Sequence, residues 1–320
     1  MSVFLLKRAA TFALTLLAAT LVVFFVLEVL PGNAAEVMLG PTATPEQVAA
    51  LTHKLGLDRP AGVRYLGWLH GLATGELGTS VSYDTPVAEL IGERLAVSLP
   101  LALLAMVLTV AVALALGLYA AAHHGRPGDL GVMLFSQLGI AVPGFWFAIL
   151  LILLFAVKLH WFAAGGFPGW SADDGGGLLA GLRALALPAV ALAAVQAAIL
   201  TRITRSAVLD VLREDFVRTA RAKGLSARAV LWNHVLRNAM IPVVTVMGLQ
   251  FASLLAGTVV IENVFYLPGI GRLVFQAIAN RDLVVVRNVV MLLAGFVIVV
   301  NFVVDVLYAA IDPRLKPSDA

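Results

Sequence analysis

The chain has 320 residues, of which 61% are hydrophobic and only 13% are charged. Soluble domains carry about a quarter charged residues, so this composition excludes an ordinary soluble enzyme and indicates a membrane protein with several spans. The formal net charge is +3, and the lack of cysteine excludes disulfides, a thiolate zinc site and a cysteine nucleophile.

Long apolar runs predict six membrane-spanning helices. About 20 apolar residues are enough for a helix to cross the bilayer, and runs of this kind occupy approximately residues 9–30, 99–122, 130–157, 185–203, 241–261 and 283–310. They lack the period-two alternation of a membrane β-barrel. The predicted fold class is therefore an all-α polytopic membrane protein, with a single domain over residues 1–320. We expect the first run to be a span, since the apolar core of a cleaved signal peptide is only about 7–15 residues long.

The connection over residues 31–98 is the longest between spans, and its sequence predicts ordered helices. Thr44-Pro45-Glu46-Gln47 is a capping box with proline at the first helical position. Gly56 and Gly75 are expected helix ends, and Thr85-Pro86 is expected to start a helix that leads into the second span. Acidic residues outnumber basic ones in this connection, which favours the outer side of the membrane.

The third run is interrupted near its middle by Pro143-Gly144. Proline lacks an N–H and clashes with the preceding helical turn, so we expect a kink at this point. The kink is either a gating hinge or a static feature, and a static kink is the favoured interpretation.

Other polar residues near the spans are expected to have structural roles. Gln137, Gln196 and Gln250 are expected to form hydrogen bonds between helices. The adjacent pair His123-His124 is expected in a solvated turn on the inner side, and Asp173-Asp174 in a solvated outer turn. Neither pair supplies enough ligands for a metal ion, so no metal site is predicted.

The most basic stretch of the chain, Arg202–Pro242, lies between the fourth and fifth apolar runs. It contains eight basic residues and three acidic ones. A basic loop held between two spans is expected to face the cytoplasm. With six spans, both termini are then expected in the cytoplasm too. We expect residues 204–240 to form this cytoplasmic loop.

The loop is predicted to consist of a helix, a corner of small residues and a second helix. The fourth span is expected to continue as a helix beyond Arg202, with an exposed Glu214–Arg218 pair at i,i+4 and an apolar face at Ile203, Leu209, Leu212, Phe216 and Ala220. Gly224 permits a sharp reversal, Ser226 is expected to cap the second helix, and Pro242 is expected to start the fifth span. The corner could fit a groove on a soluble partner, or the loop could only set topology and bind lipid headgroups.

Two segments of the loop resemble a known family. The segments Arg218-Thr219-Ala220-Arg221-Ala222-Lys223-Gly224-Leu225 and His234-Val235-Leu236-Arg237-Asn238-Ala239-Met240-Ile241-Pro242 are similar to the cytoplasmic loop of ABC importer permeases, in the branch that carries dipeptides, oligopeptides and nickel. Further segments also fit this branch: 30–33, 55–60, 75–80, 143–146, 262–272, 280–282 and 305–314. Many permeases have Glu-Ala-Ala in place of Arg218-Thr219-Ala220 and a shorter spacer to Pro242, and both departures suit the peptide and nickel branch.

The resemblance implies a type I ABC importer permease fold and a set of partners in a bacterial-type inner membrane. This chain and a related second permease subunit would form the path, two cytoplasmic ATPase subunits would bind ATP and Mg, and an outer solute-binding protein would deliver the substrate. Membrane lipid is a further expected partner, and nucleic acid is not. The residues expected to couple to the ATPase are Arg218, Thr219, Ala220, Arg221, Ala222, Lys223, Gly224, Leu225 and Ser226.

Three further residues are candidates for the path itself. Pro143 and Gly144 would lie near it, and Asp305 is an ionisable residue in the sixth apolar run. Because such a group is costly at membrane depth, it usually faces protein or water. A packing or interface role is favoured for Asp305 over contact with a substrate.

Several alternatives differ in mechanism or cargo. Peptides are the leading cargo, and nickel or a metal chelate is the alternative within the branch. An ion-driven secondary transporter usually has paired intramembrane acids or broken helices in matched halves, whereas this sequence offers Asp305 alone and no visible repeat. An intramembrane hydrolase is disfavoured because no His lies mid-span. The sequence contains no GxxxxGK[ST] phosphate loop, so we expect neither ATP hydrolysis nor a cofactor in this chain.

Overall fold

The computed structural model describes residues 2–28, 34–173 and 175–311. Within these ranges the chain forms α-helices and no β-strand, apart from an isolated bridge between Thr79 and Pro86. The helices are α1 (Ser2–Glu28), α2 (Ala34–Leu39), α3 (Pro45–Lys54), α4 (Ala61–Thr74), α5 (Val87–Ala122), α6 (Pro127–Ala141), α7 (Gly144–Leu151), α8 (Leu178–Leu212), α9 (Asp215–Ala222), α10 (Ala227–Val230), α11 (Leu236–Val264), α12 (Ile270–Ala279) and α13 (Leu283–Ile311). Two π-helical segments, Ile152–Lys158 and Leu231–Val235, continue α7 and α10.

Within the described residues, five helical runs are long and apolar enough to cross a membrane, and a bent pair of helices brings the number to six. The five are α1, α5, α8, the run Ala227–Val264 that ends with α11, and α13. This confirms the all-α polytopic fold. The spans are longer than predicted, since α5 has 36 residues and α8 has 35. At about 1.5 Å per residue such helices exceed the roughly 30 Å of hydrocarbon, so their ends extend beyond the bilayer core.

The predicted third span, residues 130–157, is two helices rather than one tilted helix. The helices α6 and α7 meet at an angle of 101°. Val142 is extended, with ψ 124°, as expected for a residue before proline, and Pro143 flanks the first residue of α7. The predicted kink is therefore confirmed, but it is a full break between helices.

The fifth span also differs from its prediction at Pro242. We expected Pro242 to start the span, but the helical run begins at Ala227 and Pro242 lies inside α11. Proline within a helix removes one backbone hydrogen bond. The run still continues through this point to Val264, so the second helix of the basic loop and the fifth span are one continuous run.

The described residues divide into two compact units. The first is built mainly from residues 99–267, where α8 packs against α6, α7 and α11. Small residues permit this packing: a Cβ added at Gly139 would lie 3.1 Å from the Cβ of Ala198. The predicted interhelical role of Gln250 is confirmed, because its Nε2 donates to the backbone oxygen of Gln196 at 3.0 Å.

The second unit contains residues 6–98 and 268–299. Its helices begin and end where the sequence predicts. Thr44 and Gln47 form both hydrogen bonds of the capping box at the start of α3. Gly75 follows α4 in the left-handed conformation, with φ 83°. α5 begins at Val87, directly after Thr85-Pro86, so that prediction is confirmed too.

A buried hydrogen-bond network holds the turn over residues 77–83 against the start of α13. Asp282, which is 1% exposed, accepts from the hydroxyl of Ser80 at 2.6 Å and from the backbone N–H of Ser82 at 3.0 Å. Its second oxygen accepts from the N–H of Val285 at 3.2 Å. The segments 75–80 and 280–282, which the family resemblance identified separately, thus meet in one network.

We expect Asp282→Asn to destabilise this unit by about 1–3 kcal/mol, because an amide nitrogen would face a donor in place of a buried acceptor. Thermal unfolding of the purified protein, followed by its loss of monodispersity, measures the effect. Asp84→Asn is a matched control in the same turn, since Asp84 is exposed with φ 49° and asparagine tolerates that conformation. Equal stability of the two variants would contradict the expected role of the network.

Candidate functional site

The basic loop contains two short helices between α8 and α11. The predicted continuation of the fourth-span helix is correct as far as Leu212 and wrong beyond it, because the chain breaks at Arg213 and Glu214 before α9. Glu214 is extended, with φ −69° and ψ 148°. Acidic residues favour the positive end of a helix dipole, which explains a new start at Glu214 and Asp215. The expected Glu214–Arg218 pair is therefore replaced by Asp215–Arg218, with a 3.3 Å contact between exposed side chains.

The corner between α9 and α10 has the predicted chemistry. Gly224 has φ 83°, which glycine adopts without strain. The N–H of Leu225 donates to the oxygen of Ala220 at 3.3 Å, and the N–H of Gly224 donates to Arg221 at 2.9 Å; together these form a Schellman ending. The Ser226 hydroxyl accepts from the N–H of Ala229 at 3.3 Å, so the predicted cap of the second helix is confirmed.

One side of the corner is buried against the ends of the membrane helices. Val217 and Ala220 of α9 and Val230 of α10 belong to a buried apolar cluster. The remaining buried members come from α5, α8, the π-helical turn and α11: Ala113, Leu118, Ala121, Leu200, Ala207, Val208, Val235, Ala239 and Val243. The corner is thus packed into the same core as three membrane-length runs.

The remaining surface of the corner is exposed, basic and partly apolar. We call it the corner surface and define it by Phe216, Arg218, Arg221, Lys223 and Leu225. Phe216, which we expected on the buried face, is 43% exposed, and Leu225 is 42% exposed. Arg218, Arg221 and Lys223 are exposed between them. The corner surface therefore combines exposed apolar side chains with positive charge.

An ion pair connects α6 to α8 beside this loop, and it was not predicted from the sequence. The Nε of Arg205 lies 2.6 Å from Oδ1 of Asp129, and its Nη2 lies 2.7 Å from Oδ2. Asp129 also accepts from the N–H of Gly125 at 3.0 Å. The side chains of Asp129 and Arg205 are 7% and 21% exposed. The inner turn and the basic loop therefore lie at the same end of the helices, as the topology predicted.

The pair His123-His124 does not fully match the expected solvated turn. His124 is half exposed, but its Nδ1 lies 3.1 Å from Asp129 and 3.0 Å from Nη2 of Arg205. Nδ1 of His123 instead lies 2.9 Å from the backbone oxygen of Tyr119. Among the described residues, no group of three His, Asp or Glu side chains is arranged to hold a metal ion.

The remaining candidate residues lie on other elements. Pro143 and Gly144 form the break between α6 and α7. Asp305 is partly buried in α13, next to Val304, against which Gly248 of α11 packs so closely that an added Cβ would clash. Outside the described residues lie the whole of the segment 30–33, residues 312–314 and Asp174.

Two family models match the chain along most of its length. "Binding-protein-dependent transport system inner membrane component" matches residues 113–317, and "Binding-prot-dependent transport system membrane comp, N-term" matches residues 1–102. The second match includes the connection over residues 31–98, and the first includes the whole basic loop.

Curated relatives resemble the chain from end to end. The di/tripeptide transport system permease protein DppB of Pseudomonas aeruginosa is 40% identical over 98% of each chain. The oligopeptide transport system permease protein AppB of Bacillus subtilis is 37% identical over 99% of this chain and all of that protein. The glutathione transport system permease protein GsiC of Salmonella choleraesuis is 39% identical over 98% of each chain. A solved amino acid ABC transporter with histidines matches at a TM-score of 0.49 and 17% identity, covering 71% of this chain and 94% of that one.

Proposed function

We propose that the chain is the permease subunit of a peptide importer. The premise is that it belongs to the family of binding-protein-dependent transport system inner membrane components. Family membership makes it a multi-pass inner membrane protein and one subunit of an ABC importer. Such an importer works with ATPase and solute-binding partners, so the ion-driven secondary transporter is not favoured.

The names of the relatives support peptides as the cargo. Proteins that match nearly the whole of this chain are named for di- and tripeptides, oligopeptides and glutathione, and glutathione is itself a small peptide. Because the similarity extends across all the predicted spans, it includes whichever residues line the path. We therefore propose peptides over nickel or a metal chelate.

The observation that carries the coupling part of the proposal is the two-sided corner. Its exposed side is the corner surface, and its buried side packs into the core of α5, α8 and α11. A closely packed core transmits displacement because it cannot be compressed. We propose that the corner surface docks on a cytoplasmic ATPase subunit, so that movement of that subunit tilts the membrane helices.

We propose that partner subunits perform the remaining tasks of the importer. A second, related permease subunit completes the path, two ATPase subunits bind ATP and Mg, and a solute-binding protein delivers the peptide outside. Both termini of this chain face the cytoplasm, as do residues 204–240. No cofactor is assigned to the chain itself.

The orientation can be tested directly because the sequence contains no cysteine. We expect Ala222→Cys, at an exposed corner position, to react with a membrane-impermeant maleimide only after the membrane is opened. Ala172→Cys is exposed in the predicted outer loop and should react on intact cells. Labelling of Ala222→Cys from outside would overturn the proposal.

Tests of the proposed cargo and of the proposed docking require the assembled importer. In liposomes that contain both permeases and both ATPases, we expect ATP-driven uptake of a labelled dipeptide delivered by the solute-binding protein. Uptake of nickel in place of the dipeptide would refute the proposed cargo. A crosslink from Ala222→Cys to the ATPase subunit would support docking of the corner.

A further inference from the structure

Among the described residues, no carboxylate pairs with one guanidinium group in the membrane-length part of α13. Arg287 is in the second turn of α13, within the apolar run Leu283–Val306. Its Nε is buried with no hydrogen-bond partner, and no described carboxylate forms an ion pair with it. A charged side chain at membrane depth is costly unless it is paired, so an anion close to Arg287 would stabilise this position.

The indole of Trp68 forms a fixed wall beside this guanidinium. The Cζ of Arg287 lies 4.9 Å from the ring centroid, a cation–π contact. The indole is held in place because its Nε1 donates to Oδ1 of Asn288 at 2.9 Å. The amide nitrogen of Asn288 in turn donates to the oxygen of Leu77 at 2.8 Å. The guanidinium and its wall are therefore positioned before any ligand arrives.

A second arginine adds positive charge to the same cluster. The Cζ of Arg64 lies 6.0 Å from the ring of Phe24, and that ring stacks on Trp68 at 6.2 Å. Two cations around one aromatic pair increase the attraction for an anion, and a planar guanidinium can donate two parallel hydrogen bonds to an oxyanion.

The surroundings favour the phosphate of a phospholipid as the anion. On α1, Leu21, Val22 and Phe25 are 49%, 61% and 65% exposed, so a surface suited to acyl chains adjoins the aromatic cluster. Aromatic residues are enriched at the depth of lipid headgroups. We infer that Arg287 and Trp68 form a binding site for the phosphate group of one phospholipid, whose acyl chains lie along α1.

The inference predicts that a phospholipid stays bound to Arg287 during purification. In native mass spectra of the intact importer after detergent washing, we expect retained phosphatidylglycerol to fall about ten-fold in Arg287→Gln, the loss expected for a charge-assisted hydrogen bond. Arg281→Gln is the matched control because Arg281 is exposed just before α13; it should retain lipid as the unaltered protein does. Arg287→Lys keeps the positive charge but lacks the planar guanidinium that can donate two parallel hydrogen bonds. It should therefore show intermediate lipid retention.

The unaltered protein supplies a second measurement that needs no variant to fold. We expect added phosphatidylglycerol to raise the midpoint of thermal unfolding, whereas a diacylglycerol without phosphate should not. Equal retention in Arg287→Gln and Arg281→Gln, or equal stabilisation by the two lipids, would overturn the site. If Arg287→Gln instead altered only the preference for free-acid over amidated peptides, the anion would be the carboxylate of the cargo and the lipid assignment would be wrong. Because lipid retention is measured without transport, the result does not depend on the proposed function.

Discussion

Replacing Gly224 with proline is expected to abolish peptide uptake while the importer still assembles in the membrane. The native φ at this position is 83°, whereas proline requires about −65°. Proline would also remove the N–H that donates to the oxygen of Arg221 at 2.9 Å. The preceding residue would be forced towards an extended conformation, although Lys223 has ψ 3° in the native corner. The Schellman ending cannot form under these constraints, so the corner surface would lose its shape.

A milder variant at the same residue measures the effect of backbone strain alone. A Cβ added at Gly224 would meet nothing within 4 Å, so Gly224→Ala introduces only the strain of a left-handed residue, about 1–2 kcal/mol. We expect Gly224→Ala to reduce uptake partially. Gly166 is a matched control because it has φ 88° and the same open surroundings, but lies in the predicted outer loop.

Three measurements on reconstituted importer decide the outcome. Co-purification of the ATPases reports assembly, ATP hydrolysis reports the motor, and uptake reports coupling. We expect Gly224→Pro to lose uptake far more than ATP hydrolysis, with Gly224→Ala in between and Gly166→Ala close to the unaltered protein. Uptake by Gly224→Pro at the unaltered rate would refute a coupling role for the corner.

The corner could be predicted from sequence because its determinants are local. A glycine at the end of a helix and a serine three residues before a free N–H specify the turn at Gly224 and Ser226 by short-range chemistry. The spans could be predicted for a similar reason, since each apolar run is recognised from the composition of its own residues. The break at Glu214 was not predicted. The helical spacing of apolar residues continues across the end of α8, so nothing in the sequence indicated that the helix stops there. Val217, rather than Phe216, turned out to face the core.

Contacts between distant segments could not be predicted in the same way. Asp129 and Arg205 are 76 residues apart, and nothing in either local sequence marks the other as a partner. The only local signal was that Asp129, an acidic residue, follows Arg126 by three positions at the end of the predicted inner turn. The same limit applies to Asp282 and Ser80, which the resemblance identified as separate segments and which the fold brings into one hydrogen bond.

The ion pair between Asp129 and Arg205 is expected to be necessary for both stability and uptake. Asp129→Asn leaves Arg205 largely buried without its charge partner, a change that costs about 3 kcal/mol in comparable buried pairs. Because Arg205 lies on the part of α8 that leads into α9, the loss should also disturb the corner. We expect lower thermal stability of the purified importer and a loss of uptake larger than the loss of assembled protein.

A charge exchange distinguishes the pair from a purely local effect of Asp129. The double variant Asp129→Arg with Arg205→Asp should recover part of the stability lost by Asp129→Arg alone, since the attraction is restored in the opposite direction. Asp215→Asn is the control, because the Asp215–Arg218 pair has side chains that are 94% and 76% exposed, and exposed pairs contribute little. If Asp129→Asn behaved like Asp215→Asn, the contact would be incidental. Movement of the corner would then have to reach the membrane through the apolar cluster around Val217 alone.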